Sequence, residues 1–440
     1  MHRNQLTAFV FYHYFVPDDV ISAVLFGDLS SELVGSGWQV TAFPCVWGCR
    51  DESIRYPKRE VWNGVKVRRL WRPRFRQSSS LGRLLNAFWM VIIWSLMALR
   101  FRSSVDVLIL GTDPPLSILA ALSWRVFHRE TRILHWCHDL FPEAAIADGM
   151  LSEESSAVRI LRSILGRAYA ACDSIIDLGP CMRRLLDRYP TGAERLTIMP
   201  WAIDEPAESL PARGPERARI FGDAHLALLY TGSLGRAHGY DAILDLLALL
   251  EPHHVRMAFS VRGNRIDELK KSVAIRHLDI RFPEFAQFAQ LAQRSACADI
   301  HVVSLRREWS GTVVPSKFFG ALAAGRPVLF YGSEDSSVAE WIRQFQIGWV
   351  LHEGNIRSVA DQLLHYANSS SAQQCMEAHC FGVYRYIFSR AAQLAKWRDC
   401  LFRQENTPET QESMVASSKP ADVSSRYNRC GVQTRTSSTG

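Results

Sequence analysis

The chain has few of the features that mark secreted, metal-stapled or membrane-spanning proteins. Its ten cysteines include no CxxC pair, and Cys45 and Cys49 have no matching Cys or His pair to complete a zinc site. Scattered thiols of this kind read as reduced cytosolic cysteines and argue against a disulfide scaffold. No apolar run reaches the roughly 20 residues that a spanning helix requires. The first one, Ala8 to Tyr12, is too short for a secretory signal and runs straight into folded-looking sequence, so no signal peptide is expected. Short-period repeats are missing. So is an aromatic-interleaved basic platform, which leaves nucleic acid out of the expected partners.

What is present describes a well-cored soluble chain. Apolar residues make up 48% and charged residues 22%, an ordinary balance, and 440 residues suit two or three domains. The net charge of +7 is unevenly spread. Residues 50–102 hold thirteen Lys and Arg against three Asp and Glu. Such a block is expected to meet phosphates or an anionic membrane surface.

The stretch from Gly311 to Leu329, GTVVPSKFFGALAAGRPVL, organises the rest. A polar loop ends at Pro315, a helix is predicted over Ser316–Ala324, and a strand opens at Arg326-Pro327-Val328. Ser316 is expected to cap the helix with its hydroxyl. The first-turn N–H groups, the helix dipole and Lys317 then make an anion site. Gly325 ends the helix and Pro327 prevents its return. Two readings remain open on these features: an ordinary αβ crossover, or a site for nucleotide phosphates.

Read in order, the chain alternates strands and helices, which predicts an α/β fold with parallel sheets. Ala8–Tyr12 reads as a first strand, a helix follows from about Ser22, and Gln39–Pro44 is a second strand. Asn63-Gly64 predicts a hairpin turn. Leu84 to Leu99 is sixteen residues of apolar sequence, interrupted only by Asn86 and Ser95. Arg72, Arg74, Arg76 and Arg83 precede it, and Arg100 and Arg102 follow. It is either a buried core helix or a monotopic helix dipped into the cytoplasmic leaflet. Val105–Leu110 is a buried strand ending in Gly111-Thr112-Asp113-Pro114-Pro115, and Arg132–Trp136 is another, ending in Cys137-His138-Asp139. Both loops are candidate site loops, because ligands of open α/β sheets sit beyond the carboxyl ends of strands. Leu196–Pro200 is the last strand predicted before a Pro- and Glu-rich linker over 204–222. The predicted domains are therefore 1–203 and 223–403, facing each other across a cleft, with a disordered tail over 404–440.

The strand Leu226–Tyr230 leads into Thr231-Gly232-Ser233-Leu234-Gly235-Arg236-Ala237-His238-Gly239. That loop, ADIHVVSL and the PSK…AAGRPV block together resemble the glycosyltransferase 4 family, especially its bacterial polysaccharide, O-antigen and exopolysaccharide members. YHYFVPDD, GTDPPL and HDLFPEAAIADGML fit the same group, and the resemblance covers roughly residues 8–395. It implies a GT-B fold of two Rossmann-like domains. It also implies a nucleotide-sugar donor on the C-terminal domain, a lipid-linked sugar acceptor on the N-terminal one, retention of configuration, and no cofactor or obligatory metal. The protein would be a cytoplasmic enzyme, peripheral on the inner face of the cell membrane. Donor contacts are then expected from Gly232, Gly235, Arg236, His238, Glu308, Thr312, Val314, Pro315, Ser316 and Lys317. Where many relatives carry two glutamates eight residues apart, this chain has Thr312 and Gly320, and Ser233 and His238 stand where an Arg and a Lys are common. A non-catalytic sugar-nucleotide-binding protein and a nucleotide-sugar epimerase therefore remain as alternatives.

Physical chemistry supplies roles for these residues. A leaving diphosphate gathers negative charge that preorganised donors stabilise. Arg236 suits bidentate contact with phosphate, and the loop glycines let backbone approach it. Glu308 either faces donor sugar hydroxyls or is solvated. His138 is either structural or a group that binds a sugar hydroxyl or helps deprotonate the acceptor, with Asp139 beside it. Asp139 and Glu143 serve as hydroxyl acceptors or as helix caps. Asp18, Asp19 and Asp113 are candidate acceptor-binding carboxylates, or turn residues.

Overall fold

A computed structural model describes residues 5–76, 79–101, 105–209, 214–286 and 290–402. The expected tail at 404–440 and Arg102 lie outside these residues. Two compact units divide the chain: one holds Met1–Ile203 together with Glu308–Val314, the other Asp204–Arg307 and the chain from Pro315.

The first unit is built on eight strands: β1 (Thr7–Phe11), β2 (Gln39–Ala42), β3 (Arg59–Trp62), β4 (Val65–Arg68), β5 (Val107–Gly111), β6 (Arg132–Trp136), β7 (Ser174–Asp177) and β8 (Glu194–Thr197). Their order in the sheet is β3-β4-β2-β1-β5-β6-β7-β8. Only β3 and β4 are antiparallel. Asn63 and Gly64 join them at φ 45° and 80°, the paired positive angles that a two-residue hairpin requires. The chain leaves β1 towards β2 on one side and later returns to β5 on the other. The carboxyl ends of β1 and β5 thus flank a topological switch point.

The apolar segment forms a 21-residue helix, Ser80–Arg100, longer than its apolar run. Ser79 caps it, its hydroxyl accepting from the Gly82 N–H at 3.0 Å. Trp94 is fully buried and stacks on Phe11 with ring centroids 5.3 Å apart. Its indole N–H donates to the Phe43 carbonyl at 3.0 Å, and one face of the helix is thereby pinned to the sheet. The helix expected from Leu116 begins as a short 3-10 turn, Ser117–Leu119, before Ala120–Phe127 becomes α-helical. The strand read at Leu196–Pro200 lies earlier, at Glu194–Thr197, where it pairs with β7.

The second unit carries six parallel strands: β9 (Leu226–Ser233), β10 (Val255–Arg262), β11 (Ile280–Arg281), β12 (Ile300–Ser304), β13 (Val328–Tyr331) and β14 (Gly348–Leu351). They lie in the order β11-β10-β9-β12-β13-β14. β9 is buried from Leu226 to Thr231, as befits a central strand covered on both faces. Two expectations need correction. Part of the stretch read as a linker, Pro215–Phe221, is a helix. Pro215 suits its first turn, and Ile220 and Phe221 bury against Ala227, Leu229 and Ala258, so apolar burial at its end overrides the linker-like composition. The loop Glu308–Val314, assigned from sequence to the C-terminal domain, packs with the N-terminal unit. The Leu140 N–H donates to the Thr312 carbonyl at 2.9 Å, and Asp139 bridges Val313.

Candidate functional site

In the second unit the loop after β9 is shaped by backbone. Gly232 sits at φ 98°, a left-handed angle that L side chains rarely adopt. Gly263, at φ 140°, lets β10 and the loop touch: a Cβ there would lie 2.2 Å from the Leu234 carbonyl oxygen. The Leu234 N–H donates to the Arg262 carbonyl at 2.8 Å, and the Arg306 N–H to the Ala237 carbonyl at 2.7 Å. His238 closes the loop on itself, its Nδ1 accepting from the Gly235 N–H at 3.1 Å. That nitrogen carries no proton, so the ring is neutral with its hydrogen on Nε2. Burial and the nearby Lys317 charge push the His238 pKa down to about 3.

Lys317 reaches this loop from the first position of the helix Lys317–Ala323. Its Nζ donates to the Ser233 carbonyl at 3.0 Å and sits 3.9 Å from the centre of the Tyr230 ring. Among the described residues no carboxylate pairs with it. Burial therefore pushes the ammonium well below the ordinary lysine range. An ammonium held on a ring face and one carbonyl, at the carboxyl end of a central strand, is a receptor for an anion. Arg236 is exposed on the same loop. Arg265, not anticipated from sequence, donates to the His238 carbonyl at 2.6 Å and pairs with Glu268, so it buttresses the loop.

Several expected donor residues have other work. Ser316 does not cap its helix. Its φ and ψ of −61° and −24° are already helical, whereas a cap needs extended backbone, and its hydroxyl makes no cap bond. Thr312 is buried and its hydroxyl donates to the Trp309 carbonyl at 2.8 Å, which holds the turn rather than a ligand. Val314 and Pro315 are buried, and the Pro315 carbonyl accepts from the Phe318 N–H. Glu308 is exposed.

In the first unit the loops after β1, β5 and β6 converge. The Thr112 hydroxyl accepts from both the His138 and Asp139 N–H groups, each at 3.2 Å, tying the β5 loop to the β6 loop. His138 is buried against Trp136, with ring centroids 4.4 Å apart, and its Nε2 has no hydrogen-bond partner among the described residues. Burial, and secondarily His135, push its pKa down to about 3, so it is neutral near pH 7. Crowding by protein and the Asp113 carboxylate push the Asp139 carboxyl up. Its side chain keeps much of its surface in water.

Asp113 is partly exposed, and His13 holds it. The His13 backbone N–H donates to the Asp113 carbonyl at 2.8 Å, and His13 Nδ1 lies 3.3 Å from Asp113 Oδ1. Arg72 Nε donates to His13 Nε2 at 3.0 Å, so a neutral His13 carries its hydrogen on Nδ1, facing Asp113. Glu52 in turn pairs with Arg72 at 2.9 Å. His13 and Arg72 escaped the sequence reading. Tyr12-His13-Tyr14 directly after a strand was the available signal for His13, whereas Arg72 looks like any other member of the basic block. Asp18 is buried and accepts from the Cys49 N–H at 2.9 Å, which makes it an anchor for the 45–50 loop. Asp19 is exposed and pairs with Arg50 at 3.2 Å. Glu143 is buried, accepting from the Tyr189 hydroxyl at 2.8 Å and from Arg162 at 3.2 Å, so it braces the fold.

Comparison with solved structures identifies the fold. Sucrose-phosphate synthase from Thermosynechococcus elongatus matches with a TM-score of 0.66 at 14% identity, over 94% of this chain and all of that one. Anabaena HepE in complex with UDP matches at 0.61 and 12% identity, over 90% and 99% of the two chains. WaaG, a glycosyltransferase involved in lipopolysaccharide biosynthesis, matches at 0.60 and 15%, over 91% and 100%. The fold is thus GT-B, with its two Rossmann-like α/β units. A family model described as a glycosyl transferase 4-like domain matches residues 22–202. A probable glycosyltransferase, WbjE of Pseudomonas aeruginosa, is 25% identical over 284 residues, 63% of this chain and 70% of that protein. The chain is a glycosyltransferase, and its residues 22–202 are similar to the glycosyl transferase 4-like domain.

Proposed function

We propose that this glycosyltransferase moves a hexose or N-acetylhexosamine, with retention of configuration, from a nucleoside diphosphate sugar to a lipid-linked oligosaccharide. The observation that carries the donor side is Lys317, an ammonium without a carboxylate partner, held against the Gly232–Gly239 loop. Negative charge grows on the diphosphate as the sugar bond breaks. Lys317, the exposed Arg236 and the backbone of the glycine loop are the groups that meet it, without an obligatory metal. HepE, a protein of the same fold, was solved with UDP, which supports a nucleotide ligand for this architecture.

On the acceptor side, His138 presents a buried, unpartnered Nε2 and accepts a hydrogen bond from a sugar hydroxyl. A ring with its pKa near 3 is a weak base, so Asp139, with its raised pKa and open surface, is the better proton acceptor of the two. Asp113, oriented by His13, contributes a further hydroxyl contact. The basic block and the apolar helix suit an acceptor carried on lipid at an anionic membrane surface, with the enzyme peripheral on its cytoplasmic side.

Calorimetric titration with UDP, GDP and ADP tests the donor assignment. One diphosphate is expected to bind, and Lys317→Ala and Arg236→Ala each to weaken it by about 1.5–3 kcal/mol, the scale of a lost charge-assisted contact. No binding of any of the three at millimolar concentration overturns it.

A further inference from the structure

We propose that the ribose of the donor lies over Gly320 and is held without a carboxylate, so that this enzyme accepts 2′-deoxyribonucleoside diphosphates alongside ribonucleoside ones. The inference rests on the donor reading of Lys317 and names the nucleoside class that this site takes. Across residues 316–324 only Ser316, Lys317 and Gly320 keep surface open, and the other side chains are buried. Gly320 stands one turn beyond Lys317 on the same side of helix Lys317–Ala323. A Cβ built on it meets no heavy atom within 4 Å, so free space borders the anion receptor. The glycine loop borders Lys317 as well: a Cβ on Gly232 would lie 3.7 Å from Lys317 Cε. A diphosphate held by Lys317 and this loop therefore has room for its next group over Gly320. That group is the nucleoside, because the transferred sugar must present its reacting carbon to an acceptor.

The side chains around that space decide what it reads. A ribose is told from a 2′-deoxyribose by a group that bonds its 2′-hydroxyl, often an Asp or Glu in Rossmann-type nucleotide sites. Discrimination comes from the polar group that the deoxy compound leaves unpaired. Gly320 has no side chain to offer such a group, and its neighbours Phe319 and Ala321 are apolar and buried. Three carboxylates on segments at the carboxyl ends of this sheet are already engaged. Glu268 pairs with Arg265 at 2.5 Å, Glu334 with His352 at 3.4 Å, and Glu353 accepts from the Tyr331 hydroxyl at 2.7 Å. Ser316, one turn before Gly320, is the polar neighbour on this face, and its hydroxyl makes no cap bond. A neutral hydroxyl of that kind holds a ribose more weakly than a carboxylate does.

Calorimetric titration of the full chain sets each ribonucleotide against its 2′-deoxy counterpart: UDP with dUDP, GDP with dGDP and ADP with dADP. For the pair that binds, the deoxy form is expected within about 10-fold of the ribo form, the most that one neutral hydrogen bond supplies. Gly320→Glu should introduce a preference, its carboxylate bonding the 2′-hydroxyl and favouring the ribo form by at least ~10-fold more than the parent does. Gly320→Ala puts a methyl group in the same space with no acceptor, and should keep the parent's ratio and melt no lower. A parent that rejects the deoxy form by more than ~10-fold overturns the proposal. So does a Gly320→Glu protein that binds both forms in the parent's ratio. Should the glutamate repel the diphosphate, the parent comparison alone decides. If none of the six nucleotides binds the parent at millimolar concentration, the donor reading itself falls. If a ribo form binds and its deoxy form does not, only the present inference falls.

Discussion

Lys317 decides most at the scale of single residues. Its ammonium has a ring face and a carbonyl but no anion, and burial holds its pKa well down. Above that lowered pKa the free enzyme has lost the proton, so binding a diphosphate must first restore it. Affinity for the diphosphate is therefore expected to fall as pH rises through the lowered pKa. Proton uptake should be visible as a buffer-dependent heat in calorimetry. In Lys317→Arg the charge stays on at every accessible pH, and the decline should flatten. A parallel decline in parent and variant would rule out Lys317 as its source. His138 and His238 show the opposite use of burial: both rings are held neutral, one offering an unpartnered nitrogen and the other spending its nitrogen on the Gly235 N–H.

At the scale of elements, the helix Ser80–Arg100 turns one face to the sheet and the other outward. The inner one is anchored by Trp94, stacked on Phe11 and bonded to Phe43. Trp94→Ala is expected to destabilise the N-terminal unit by about 3–5 kcal/mol, the usual result of removing a large buried aromatic. Urea unfolding followed by far-ultraviolet circular dichroism measures it; a change under about 1 kcal/mol would mean the helix is not held there. The loop Glu308–Val314 shows how an element can belong elsewhere than its sequence neighbours. Thr312 and Val313 take part in the backbone pairing of the loop that carries His138 and Asp139.

At the scale of the molecule, the two units have separate sheets and cores, which predicts two thermal transitions in scanning calorimetry. A diphosphate at 100 times its Kd should stabilise the C-terminal unit by about 2.7 kcal/mol and move that transition. A shift confined to the other transition would place the nucleotide in the wrong unit.

Much of this architecture was legible in the chain alone. Strand and helix periodicity, Asn63-Gly64 and the breaker residues are local signals, because backbone angles and two-face burial act within a few residues. They located nearly every strand, the loop that holds His138 and the helix that Lys317 opens. Other features depended on what lies beside a residue in space. The apolar composition of Ser80–Arg100 left core and surface helix equally open, and only packing against the sheet separated a buried face from an exposed one. Ser316 had the residue type of a cap but not the backbone angles, and Thr312 had a free hydroxyl until Trp309 was found beside it. His13 and Arg72 are 59 residues apart, so only folding could join them into the chain that orients Asp113. Local chemistry determined the elements and the residue types at their ends. Hydrogen-bond partners and burial, which exist only once distant segments meet, decided which of those residues are left to bind a substrate.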